Sequence, residues 1–237
     1  MYYNDSWPAY VPVAERKAKA QIALAKLRKT DPTATPVEME GRKPAKTWWG
    51  QAWVNNLESY ADYSNRLPRG KSYLSNGLVI DLKIMPGKVT GVVSGSSPYK
   101  VEVTISPLAP HVWKAVTEVC NRQISSLEAL ASGKFPEELG KLFTSKGGGL
   151  FPSPREIKLK CSCPDSAVMC KHVAAVLYGV GTKLDQDPTL FFKLRSVEFD
   201  DLIKKSIESK MSSMLKNANQ RTGRTMSETL AASVFDI

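Results

Sequence analysis

Between Cys161 and His172 the chain places four metal-donor side chains within twelve residues, spaced C-x-C, six residues, then C-x-H. Few patterns constrain a fold as tightly. In an extended strand, residues i and i+2 face the same side, so Cys161 and Cys163 can grip one ion from one strand. Pro164 and Asp165 start a turn, and the loop after them brings Cys170 and His172 back to close the site. Beyond His172, Val173, Val176, Leu177 and Val180 recur at helical spacing. The order is therefore strand, knuckle, helix. Cys170 falls just before the helix and His172 in its first turn, where backbone amides favour the charge of nearby thiolates.

Three cysteines and a histidine suit tetrahedral Zn2+, and four protein donors leave no position for a reactive water. That predicts a structural site rather than a catalytic one. Three thiolates on a divalent ion leave a net charge of about −1, which Lys158, Lys160 and Lys171 are placed to offset. A disulfide framework is the weaker reading, because the cluster is dense and no secretory leader is evident. No stretch approaches the roughly 20 apolar residues of a membrane helix, so a cytoplasmic protein is expected.

Away from the cluster, the first dozen residues are expected to be extended. VAERKAKAQIALAKLRK reads as a helix with a thin apolar stripe of Ile22, Ala23, Lys26 and Leu27, followed by a linker broken by Pro32, Pro36 and Pro44. WWGQAWVNNLESYADY places Trp49, Trp53, Leu57 and Tyr60 on one helical face. Trp48, Trp49 and Trp53 are read as core. RLPRGKSY reads as a basic turn. LVIDLKIM, KVTGVVSG and YKVEVTIS alternate between Gly- and Pro-containing turns, the signature of a three-stranded antiparallel meander. A helix is expected over His111 to Ala131 and a short one over Pro136 to Phe143. The fold class is α+β: an antiparallel meander with flanking helices and a small zinc finger. The expected organisation is an N-terminal segment, helix and linker (1–46), an α+β domain (47–150), a zinc finger (151–196) and a basic helical extension (197–237).

CSCPDSAVMCKHVAAVLY resembles a SWIM zinc finger, and WPAYVPVAERKAKA, TWWGQAWVNNLE, RLPRGKSY, PGKVTGVVSGSSPYKVEV and LDQDPTLFFKLR are similar to stretches of bacterial members of that family. The resemblance covers most of residues 7 to 196 and leaves out the segment after Ser196. It implies Cys161, Cys163, Cys170 and His172 as the ligands. It also implies DNA-binding or protein-interaction roles, with a Swi/Snf-type helicase-like ATPase as the kind of partner.

A formal net charge of +10 favours acidic partners, nucleic acid first. Lys204, Lys205 and Lys210 would form a basic face beside an apolar stripe of Leu202, Ile203, Ile207, Met211 and Met214. That face suits phosphate contact or, equally, a solvated side of a packed helix. Arg66, Arg69 and Lys71 beside Tyr73 could clamp a strand of nucleic acid or form an ordinary exposed loop. No enzyme is expected. His111 and Cys120, nine residues apart, would sit roughly 13 Å apart along a helix, and no Walker-type phosphate loop is present. The sequence reading is a zinc-binding, non-catalytic accessory protein that binds DNA or RNA, with a protein-interaction adaptor as the alternative.

Overall fold

A computed structural model describes residues 11–41, 43–59, 66–122, 150–198, 200, 204, 207, 208, 211, 212 and 214–216. One antiparallel sheet has β1 (Val79–Met85), β2 (Lys88–Ser94), β3 (Pro98–Ile105) and β4 (Ile157–Cys161) in sequence order. The three-stranded meander is thus one strand short of the sheet. IKLKC is the fourth strand, and it ends on the first zinc ligand. Its register on β3 runs from Ile105 opposite Ile157 to Val101 opposite Cys161. Ladder hydrogen bonds therefore cross from the meander directly into the finger. A 3-10 turn, Pro154–Glu156, starts this strand with a capping box between Ser153 and Glu156.

Among the described residues, helices that surround or penetrate the core are α1 (Val13–Thr30), α2 (Trp48–Glu58), α3 (Leu67–Ser75), α4 (Pro110–Arg122), α5 (Lys171–Gln186) and α6 (Leu190–Leu194). The organising element is α5. Periodicity predicts one apolar face, but the helix is buried all round from His172 through Thr182. The small residues Ala174, Ala175, Gly179 and Gly181 fill the faces that the valine stripe leaves, so neighbours approach from every side. On one flank the indoles of Trp53 and Trp49 donate to the carbonyls of Leu177 and Leu184, each at 2.9 Å. These bonds satisfy the polar edge of two buried tryptophans, as core placement requires. Asp185, at the other end of α5, accepts from the Lys46 and Thr47 amides and the Thr47 hydroxyl at the start of α2.

The other flank belongs to α3, where the sequence predicts a basic turn. Pro68 lies in the first helical turn, a favoured position. Gly70 is not a turn residue. A Cβ there would stand 2.4 Å from the Ala174 Cβ, so glycine lets two helix backbones touch. The α1 stripe also differs from the expected one. Ala20 is buried, and Ala23, Leu24 and Leu27 pack on Leu78 and Ile80, while Ile22 is 59% exposed. The described part of α4 buries Val112 and Val116. The side chain of Cys120, residues 123–131 of the expected helix, the expected helix at Pro136–Phe143, and Tyr60 lie outside the described residues.

Candidate metal centre

Strand β4 delivers Cys161 at its last residue, and Cys163 follows two residues on. Cys170 is the extended N-cap residue of α5, so His172 occupies the first turn. The loop between them turns on Asp165, which accepts from the Ala167 amide at 3.1 Å. Arg66, at the start of α3, pairs with the other oxygen of Asp165 at 3.2 Å and ties the knuckle to the body.

The donor atoms of Cys161, Cys163, Cys170 and His172 all lie within 4.8 Å of one another. The Nδ1 atom of His172 stands 3.9 Å from the Cys161 sulfur and 3.8 Å from the Cys170 sulfur. Donors on one tetrahedral zinc sit about 3.6–3.8 Å apart, given bonds of roughly 2.1 and 2.3 Å. The four residues therefore fit the ion, with Nδ1 as the histidine ligand. The other ring nitrogen, Nε2, is buried and has no hydrogen-bond partner among the described residues.

Electrostatics agree. Burial pushes the Cys161 thiol up to about 12, and the neighbouring sulfurs of Cys163 and Cys170 add to the rise. Burial also raises Cys170, against the pull of the Val173 amide at the start of α5. Burial, aided by Lys171, lowers His172 to about 4. Ionised thiolates are thus costly here unless a cation neutralises them, and the imidazole is held neutral, as a ligand must be.

Aromatic rings grip the histidine. Tyr99 lies over it with ring centroids 4.4 Å apart, and Tyr73 meets it edge-on at 5.4 Å. Gly95 closes the third side: a Cβ there would fall 2.8 Å from the Tyr99 ring and 3.3 Å from His172 Nε2. Sequence spacing could not reveal these three residues, because each is brought in by the sheet or by α3.

The basic candidates separate. Lys158 and Lys160 are exposed on β4, opposite Thr104 and Glu102. Exposed Lys100 belongs with them: it faces Ser162 across the same edge, bonded both ways at 2.9 Å. None of the three forms an ion pair among the described residues. Lys171 sits over the Tyr73 ring at 5.6 Å. Arg66 is engaged with Asp165, Arg69 is exposed and Lys71 is half-buried, all on or next to α3. Lys204 is exposed on a helical stretch remote in sequence, and Lys205 and Lys210 lie outside the described residues.

A strand ending in C-x-C, a knuckle and a helix opening with C-x-H define a treble-thiolate zinc finger. Residues 146–180 match the SWIM zinc finger family, and the chain carries a SWIM zinc finger that binds zinc. The chain is also similar to "Uncharacterized protein Rv2102" of Mycobacterium tuberculosis, at 38% identity over 162 residues, 67% of this chain and 58% of that protein. The match thus spans little more than half the length of that relative. No solved structure matches the chain. No described helix is long and apolar enough to cross a membrane.

Proposed function

We propose that this is a non-catalytic zinc protein of the cytoplasm that binds nucleic acid through the edge of its sheet. The carrying observation is the cluster of Lys100, Lys158 and Lys160, exposed on the outward side of β3 and β4 beside the knuckle and in no ion pair among the described residues, with Glu102, opposite Lys160, paired to Lys88. Burying zinc behind four protein donors fixes the geometry of this edge and leaves no coordination position for chemistry. The formal charge of +10 supplies long-range attraction for a polyanion.

The test is salt-dependent binding. Wild-type protein is expected to bind DNA or RNA with an affinity that falls steeply from low to moderate salt. The Lys100→Gln, Lys158→Gln, Lys160→Gln triple variant is expected to lower the slope of log affinity against log salt by about 2–3. Affinity independent of salt, or a slope unchanged in the triple variant, refutes the reading.

The adaptor reading has one observation in its favour. Ile207, Met211, Met214 and Leu215 are 50–66% exposed on the C-terminal helical stretch. An apolar stripe of this kind suits docking on a protein partner, and the family resemblance points to a helicase-like ATPase. A complex with such a partner that survives nuclease treatment supports it, whereas loss of the complex on nuclease treatment counts against it.

A further inference from the structure

Beside the zinc knuckle lies a cleft of about 200 Å3, built from three separate elements. Tyr73 comes from α3, Ser96 and Tyr99 from the β2–β3 hairpin, and Pro164, Asp165 and Lys171 from the finger. Its rings are positioned by the zinc ligand itself. Tyr99 is stacked on His172 and its hydroxyl is 2.6 Å from that of Ser96. Tyr73 is held edge-on to the same imidazole, with the Lys171 ammonium over it. The hydroxyls of Ser96, Tyr99 and Tyr73, the Lys171 ammonium and the Asp165 carboxylate are the polar groups that the lining residues bring.

Three properties select the occupant. The first is size. The cleft falls below the roughly 300–1,000 Å3 of sites that engulf drug-sized ligands, so it admits one ring system. The second is charge. Three thiolates on Zn2+ leave about −1, and Asp165 adds another negative charge, while Lys171 and Arg66 supply two positive ones. The charges sum to zero, so the cleft does not select a phosphate. Aromatic walls with a few donors and acceptors instead suit a flat uncharged ring. The third is location. Ser96, at the hairpin tip, lines both this cleft and the groove where α1 places Lys26 and the Glu15-paired Lys19. Lys100 follows Tyr99 directly but points to the opposite side of β3, as strand alternation requires. Phosphates can therefore run over the lysines while a base turns in past the hairpin tip.

We infer that this cleft receives a single unpaired nucleobase, which makes the chain a reader of single-stranded rather than fully paired nucleic acid. The inference rests on the nucleic-acid reading above and assigns the base to a place apart from the lysines. A strand and a free nucleoside present the same base, so the experiment includes both.

Zinc-loaded full-length protein is titrated into a fluorescently labelled oligo(dT) carrying one 2-aminopurine, with anisotropy reporting binding and 2-aminopurine emission reporting stacking. A second titration uses free 2-aminopurine riboside. Wild-type protein is expected to bind the oligonucleotide and quench the emission. Ser96→Trp fills the cleft from an exposed position, and Tyr73→Leu removes a wall. Both are expected to abolish quenching and weaken binding roughly tenfold or more, with one zinc per chain retained. Tyr73→Phe is expected to restore quenching. Quenching of the oligonucleotide alone assigns the cleft to a strand, and comparable quenching of the riboside assigns it to free nucleosides. Binding without quenching, or quenching unchanged in Ser96→Trp, overturns the cleft and leaves the lysine surface standing. No binding at low salt overturns both.

Discussion

At the residue scale the zinc ligands were legible and their support was not. C-x-C and C-x-H state their own geometry through strand alternation and the first turn of a helix. Gly95, Tyr73 and Tyr99 carry no local signal, because they meet His172 only after the hairpin and α3 are in place. Cys170→Ser is expected to abolish stoichiometric zinc, measured by elemental analysis of the purified protein. Gly95→Ala is expected to act more gently. The added methyl must push Tyr99 or His172 aside, at a cost on the order of 1–3 kcal/mol for overpacking, so a colorimetric chelator should extract zinc faster than from wild type. Zinc affinity should also depend steeply on pH. Without metal, burial raises the Cys161 and Cys170 thiols, so they are protonated at neutral pH and binding must release their protons. His172, lowered to about 4, is already neutral and releases none. Affinity therefore falls as pH falls, by up to about two decades per unit for these two thiols. Chelator competition at pH 6, 7 and 8 reads the slope, and a flat profile contradicts the thiolate assignment.

At the element scale, strands with strict alternation were readable, and elements defined by close approach were not. The strand ahead of the knuckle was expected from C-x-C, but its place in the sheet was hidden, because IKLKC lies about fifty residues beyond β3 and only pairing from Ile157 to Cys161 reveals it as the sheet edge. RLPRGKSY looked like a turn because Pro68 and Gly70 are turn residues by propensity. Both act differently here: the proline opens a helix, and the glycine permits contact with α5. Gly70→Ala measures that difference. On an exposed helix the change would stabilise by about 1 kcal/mol. Here the new Cβ would meet Ala174 Cβ at 2.4 Å and its backbone at 2.9 Å. The helices must separate, so a loss of about 1–3 kcal/mol is expected in chemical denaturation. Unchanged or increased stability would show that the α3–α5 contact is slack.

At the scale of the whole molecule, the finger is the end of the main core. The histidine ligand begins the helix on which the fold is built, and the first cysteine ends a strand of the common sheet. Val173, Val176, Leu177, Val180 and Leu184 belong to the same buried cluster as Trp49, Trp53 and the strand valines Val89, Val93, Val101 and Val103. Composition and spacing mark a finger, but they do not say what its helix packs against, because all-round burial depends on neighbours distant in sequence. Structural zinc in a small finger contributes on the order of 10 kcal/mol to folding, comparable to the whole stability of a domain. Removing the ion should therefore release α5, and with it the seats of both indoles, whose donor bonds end on Leu177 and Leu184. Chelation is expected to red-shift tryptophan emission and to lower one cooperative melting transition as a unit, with recovery on adding zinc. Calorimetry that shows a zinc-insensitive transition for the sheet and tryptophan core, beside a separate zinc-dependent one, would mean that the two parts fold independently despite their shared strand ladder.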